Sequence, residues 1–325
     1  MKGSREFLTS NGEPENQEFV KEIERFHLER YEKEQSGELK ELLNSINFSV
    51  LESEFSLIAE KSRMDKNKFN FIGREKIFNL EKDRREGLGF KRIGMYDPGA
   101  NCLAFDIDGL VFAAKDNNFN KKDFFLYLVC HEEAHATAKT ECVGLSEFEK
   151  EKEDSMVVTT GYSKYFIIKD VNKKVYDTEL LKPFNEGITE KIAREALDSY
   201  FKKTGISGEN FKKRLENGSN SDNLYGYEVS FVDTLIKRIS VDTGVLEIDV
   251  WNAFKRGFYN GEDLLGDREL REFWKGMFGE EFIKDLTNSK EGRHLFAIQE
   301  RIKNWKDPSG ENKLSKFFKE FLEKK

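Results

Sequence analysis

The stretch FFLYLVCHEEAHATAK, Phe124–Lys139, decides how this chain is read. It opens apolar and closes on His131, Glu132 and His135. The 325 residues include only four histidines, and two of them stand here, four apart. On a helix, residues i and i+4 share one face, a turn apart. His131 and His135 can therefore offer two imidazole nitrogens to one ion. Zinc accepts such nitrogens at about 2.0–2.1 Å in tetrahedral sites. Glu132 lies beside the first of them, placed to act as general base on a metal-held water. Asn120 has the chemistry of an N-cap for this helix, and Asp123 follows three residues on, where a capping partner belongs.

Two imidazoles and a water leave a tetrahedral ion one protein ligand short. Glu141 follows His135 by six residues, but a straight helix would carry it about 9 Å along the axis, out of reach. The stretch NEGITE, Asn185–Glu190, is better placed. Glu186 and Glu190 are another i, i+4 pair on one face. One can bind the ion. The other can accept a hydrogen bond from the far nitrogen of a ligand histidine, which fixes its tautomer. Cys130 adjoins His131, but a free cysteine is among the most buried residue types, which favours a core role.

HEEAH followed by NEGITE resembles the gluzincin, or thermolysin-like, zinc metallopeptidases. The resemblance covers about residues 90–200. It implies Zn2+ on His131, His135 and Glu186, with Glu132 as base and Glu190 behind a ligand histidine. It implies a zincin-like catalytic domain, and a peptide or protein substrate. The 51 residues from His135 to Glu186 exceed the thermolysin spacing; a hairpin within 156–181 absorbs them, since added loop length costs little. The family adds a His or Tyr that stabilises the oxyanion. Tyr225 and Tyr227 are both candidates here, and His294, read as a surface histidine, is a further option. Upstream, GMYDPGANCLAFDID is similar to the strand such enzymes set beside the cleft.

The expected fold class is α+β. Residues 1–65 read as an N-terminal helical segment, 66–200 as the catalytic domain and 201–325 as a helical C-terminal domain. Residues 1–16 are polar and read as a frayed end. NQEFVKEIERFHLERYEKEQ then spaces Phe19, Ile23, Phe26 and Tyr31 as a helix does. In the middle, Leu103, Phe105 and Ile107 alternate with Ala104, Asp106 and Asp108, the period of a strand. Asp108–Gly109 reads as a hairpin turn, with LVFAA, residues 110–114, returning. A peptide added along 101–107 would be held by main-chain hydrogen bonds. MVVTTGYSKYFIIKDVNKKVYDTELL, residues 156–181, reads as a hairpin or flap. LEKDRREG, 80–87, reads as a solvated turn or helix end, and everything beyond about 205 as helix.

Composition narrows the partners. Hydrophobic residues make up 38% with 29 Phe, enough to build a core. A net charge of −7 argues against nucleic acid, which needs a basic surface. No apolar run of about 18 residues occurs, so no membrane span is expected. Three cysteines and no leader-like start predict a cytoplasmic setting. Two other readings fit the same motif: a non-catalytic zinc-binding or protein-interaction module, and a zinc hydrolase acting on a non-peptide amide. A structural site needs no general base and would more often use cysteines, so Glu132 speaks against the first.

Overall fold

The computed structural model describes residues 5–8, 20–21, 25, 28–29, 31, 35–64, 69–80, 93–116, 118–144, 156–169, 175–206, 208, 211, 213, 215, 225–261 and 267–304. Its architecture is α+β. The short strand β1 spans Arg5–Leu8. Two helices follow, α1 at Gly37–Asn44 and α2 at Phe48–Lys61. Each starts on a capping side chain: Ser36 Oγ accepts from Leu39 N at 3.2 Å and Asn47 Oδ1 from Val50 N at 3.3 Å. Such a cap satisfies a helix-end donor and contributes ~1 kcal/mol.

Three strands form the first sheet: β2 at Ile77–Asn79, β3 at Gly94–Asp97 and β4 at Cys102–Phe105. Their order is β2-β4-β3, with β2 parallel and β3 antiparallel to β4. Tyr31, Leu80, Ala100, Cys102 and Ala104 form a small buried cluster on this sheet, and Tyr31 OH donates to Asp97 Oδ2 at 2.5 Å. Helix α3, Ile107–Asp116, and helix α4, Lys121–Thr137, follow. Asn120 caps α4 as its chemistry requires, accepting from Lys122 N and Asp123 N. Helix α4 buries Phe124, Phe125, Leu126, Tyr127, Val129 and Cys130 because it runs through the middle of the molecule. Phe125 meets the Phe105 ring edge-on at 5.2 Å. Its truncation to Ala would cost ~3–5 kcal/mol.

From the end of α4 the chain enters the second sheet: β5 at Thr140–Gly144, β6 at Met156–Thr160, β7 at Ser163–Lys169 and β8 at Val175–Leu180. Its order is β1-β5-β6-β7-β8, with only the β1–β5 pair parallel. Helix α5, Lys182–Thr204, carries NEGITE. Helices α6 (Gly226–Thr243), α7 (Glu247–Asn260), α8 (Arg268–Phe278), α9 (Phe282–Asn288) and α10 (Gly292–Asn304) complete the described chain. The α5 and α6 backbones nearly touch at Gly187. A Cβ there would lie 2.6 Å from Glu228 O and 2.9 Å from Val232 Cγ2, so only glycine admits this approach. One buried cluster runs from Leu39 to Ile302 and crosses residues 65 and 200 without a break.

Four expectations change. Residues 110–114 are not a returning strand but the body of α3. Asp106 decides this: its Oδ1 accepts from Gly109 N at 3.1 Å and its carbonyl from Leu110 N at 2.9 Å, an N-cap that overrides the turn reading of Asp108–Gly109. Ile107, Leu110 and Ala114 then bury at helical spacing. Second, β4 has a neighbour on each side, so no peptide can add along 101–107; among the described residues β2 and β3 are the two edge strands of this sheet. Third, residues 5–8 are paired in β1, from Arg5 opposite Thr140 to Leu8 opposite Val143. Fourth, 156–181 holds three strands rather than one hairpin. Most of the expected helix around residues 17–36, and the 81–87 charge run, lie outside the described residues.

Candidate metal centre

Helices α4 and α5 pack antiparallel. His135 meets Glu186 and Thr189, His131 meets Glu186 and Glu190, and Tyr127 meets Glu190. Successive turns of one helix thus face successive turns of the other. Glu186 Oε2 lies 3.2 Å from His131 Nε2 and 3.2 Å from His135 Nε2. The three ligand atoms all fall within 4.8 Å of one another. A tetrahedron with bonds of about 2.0–2.1 Å has edges of about 3.3 Å, so the spacing fits one ion of that kind. Two imidazole nitrogens and a carboxylate oxygen are also a donor set that suits first-row divalent metals. The group His131, His135 and Glu186 can hold a metal ion.

The charges point the same way. Glu132, Glu186 and Glu190 surround the pair, and Arg194 is the one cation bonded to them among the described residues. Three carboxylates against one guanidinium leave two negative charges, the deficit a divalent ion fills. Without the ion, His131 holds a proton instead. Burial opposes a charge on His131, but the hydrogen bonds to Glu186 and Glu190 and the charge of Glu132 outweigh it and lift the pKa to about 10. Burial would raise Glu186, but the charge of His135 and the hydrogen bonds from both imidazoles hold it well below the usual carboxylate range.

Glu190 is completely buried. Its Oε2 takes His131 Nδ1 at 2.9 Å and the Tyr127 hydroxyl at 3.0 Å, and its Oε1 takes Arg194 Nε at 2.5 Å. This leaves His131 Nε2 turned toward Glu186. Thr189 Oγ1 stands 3.4 Å from His135 Nδ1 and orients the second imidazole. Glu132 is held from the sheet side: its Oε2 accepts from Tyr96 N on β3 at 2.8 Å, and its charge still reaches His131. That backbone N–H faces away from β4 and fixes the carboxylate at the sheet edge. Glu133 points elsewhere again. It is fully buried, accepts from Ile72 N at 3.0 Å, and burial pushes its pKa well up against that bond.

Tyr225 lies with its ring flat on His131, centroids 4.5 Å apart and planes 7° from parallel. Its φ of 57° is left-handed, a conformation that a tyrosine adopts only under constraint, and it stands directly before α6. Burial, reinforced by Glu186 and Glu132, keeps the phenol protonated by raising its pKa well above the ordinary value. Tyr227 is two residues on, about 200° around the helix, and makes no hydrogen bond or ring contact with the metal-site residues. Glu141 pairs with Lys139 on β5, away from the ligand group. His294 sits exposed on α10 and accepts from Lys290 N. Cys130 is a core residue: burial pushes its thiol pKa far up, so no thiolate is offered.

Asn185 holds the start of α5. Its Oδ1 accepts from Tyr162 N at 2.9 Å in the β6–β7 turn, and Tyr162 OH donates to Phe254 O at 2.9 Å on α7. The turn needs Gly161, whose φ is 55° and whose missing Cβ would strike the Phe258 ring. Of these residues, sequence reasoning missed Thr189, Arg194, Glu133 and Asn185. The i, i+4 spacing of Glu190 and Arg194 was the one available signal for Arg194. Compared with protein-family models, curated proteins and solved structures, the chain gives no match.

Proposed function

We propose that this protein is a zinc-dependent metallopeptidase, with Zn2+ held by His131, His135 and Glu186. The observation that supports the reading is the convergence of those three ligand atoms on α4 and α5, with Glu132 one residue from the first ligand and facing the edge strand β3. Bound zinc supplies a Lewis acid that polarises a carbonyl and brings the pKa of a water toward ~7. With the ion bound, Glu132 would accept one proton from the attacking water as the water oxygen bonds to the amide carbon. Glu132 then delivers the proton to the amine nitrogen as the C–N bond breaks. Tyr225 remains a phenol near neutral pH and can donate to the developing oxyanion; Tyr227 is left without a role. Glu190 and Thr189 fix the imidazoles. The substrate is a peptide or protein chain running past β3, the strand whose outer edge adjoins Glu132. Among the described residues no helix is long and apolar enough to cross a membrane. A cytoplasmic setting and no nucleic-acid partner complete the reading.

Metal analysis of the purified chain, followed by cleavage of a mixed peptide pool with and without chelator, tests this. The expected result is one zinc per chain and chelator-sensitive cleavage. Glu132→Gln should retain the zinc and lose at least about a hundredfold in rate, the range a positioned acid–base group contributes. Zinc without any cleavage would favour a non-catalytic site. Cleavage confined to non-peptide amides would move the substrate class. Full activity in Glu132→Gln would remove the base from the mechanism.

A further inference from the structure

We infer that Arg194 is a positioning residue for the metal centre, acting on His131 through Glu190. The inference rests on the metal reading above and deepens it. Glu190 is a fully buried carboxylate that must present one particular oxygen to His131. Three donors meet it, and they divide between its two oxygens. Among the described residues, Tyr127 OH and His131 Nδ1 share Oε2, while Arg194 Nε takes Oε1. Tyr127 and His131 both lie on α4 and both meet Oε2, so they pin one oxygen and leave the carboxylate free to turn about it. Arg194 lies on α5, one turn after Glu190, and anchors the second oxygen from the same helix. The two anchors together set the carboxylate plane, and that plane sets the imidazole plane.

The neighbouring charges leave this task to Arg194. Lys191 is committed to Asp233 at 2.6 Å on the outer side of the α5–α6 pair. The Arg194 side chain is only 21% exposed, so its guanidinium reaches inward rather than into solvent. A planar guanidinium holds a carboxylate oxygen in a fixed direction, which an ammonium point charge does not. Residues that orient a ligand histidine typically change metal affinity about 10–100-fold when removed. Arg194 stands one bond further out, so the lower end of that range applies, about tenfold.

The test measures zinc affinity of the full-length chain at fixed pH by competition with a chromophoric chelator. The thermal midpoint of each metal-free variant is recorded alongside. Arg194→Met should weaken zinc about tenfold. Arg194→Lys should recover part of the loss, because charge returns without the fixed plane. On a Glu190→Gln background, Arg194→Met should add less than about twofold, since neighbours that act as one unit are not additive. A merely structural role would lower the thermal midpoint equally on both backgrounds and leave zinc affinity alone. Wild-type affinity in Arg194→Met, or the same tenfold loss on the Glu190→Gln background, overturns the inference. If Arg194→Met does not fold, Arg194→Lys on both backgrounds decides the question instead: a loss on the native background that vanishes with Glu190→Gln supports the inference, and an equal loss on both overturns it. If the wild-type chain itself binds no zinc, the metal reading fails and this inference with it. If the wild type binds and the variants bind equally, only the role of Arg194 is lost.

Discussion

Helices α4 and α8 begin alike and bury very different things. Each starts on an Asx cap, Asn120 for one and Asp267, accepting from Leu270 N at 3.0 Å, for the other. Helix α8 buries Leu270, Phe273, Trp274, Met277 and Phe278 and exposes Arg268, Glu269, Arg271, Glu272 and Lys275. That is the ordinary amphipathic solution, an apolar stripe inward and charge outward. Helix α4 buries His131, Glu132 and Glu133 in succession, at 2%, 7% and 0% exposure. Taking an ionised group out of water costs several kcal/mol unless specific partners offset it. Each of the three has such a partner, on a different neighbour: α5, β3 and the chain at Ile72. A helix that only had to hold the fold together would follow α8. The extra cost of α4 falls where the group that can hold a metal ion lies.

The contrast can be broken most sharply at Glu186. On the proposed reading, Glu186→Ala removes one of three candidate ligands and should weaken zinc by more than about a hundredfold, beyond the range seen for orienting residues. Equilibrium dialysis against zinc measures this, and near-native binding would mean the third ligand lies elsewhere. The next effect is on stability. Burial keeps the Glu133 pKa well above that of an exposed carboxyl. The favourable contribution of its neutral form is therefore complete at acid pH and is lost as pH rises toward the folded value. Stability should fall by up to ~1.4 kcal/mol per pH unit through that window, and Glu133→Gln should flatten the slope. Urea unfolding of both proteins at about pH 5 and pH 8 decides it, and parallel slopes would exclude Glu133 as the cause. The smallest effect belongs to α8. Glu272→Ala should stay within ~0.5 kcal/mol of wild type and leave zinc binding unchanged. A larger shift there would erase the distinction between the two helices.

The central elements were legible because their signals are local. Asn120 capped the helix it was expected to cap, and the i, i+4 rule placed His131 over His135 and Glu186 near Glu190. The α+β class followed from the change of period in the middle of the chain. Other features depend on what no window contains. Asp106 looked like a strand residue because its alternation with Phe105 and Ile107 is real; its capping bond to Gly109 N reverses the outcome. The pairing of residues 5–8 with 140–143 joins segments 135 apart, which no periodicity announces. The choice between Tyr225 and Tyr227 turns on where α6 begins, a boundary set by a left-handed tyrosine. Thr189 and Arg194 lie within or just past a motif already noticed, but their roles appear only once α5 is laid against α4.

The near-contact at Gly187 has a mechanical side. Glu228 O sits against the residue directly after Glu186, a candidate ligand, and Tyr225 lies three residues before Glu228, at the head of the same helix. The spot works as a fulcrum between two levers. A tilt of α6 about that point would slide the aromatic plate off the His131 face, so the close seat at Gly187 holds the plate in place over the imidazole.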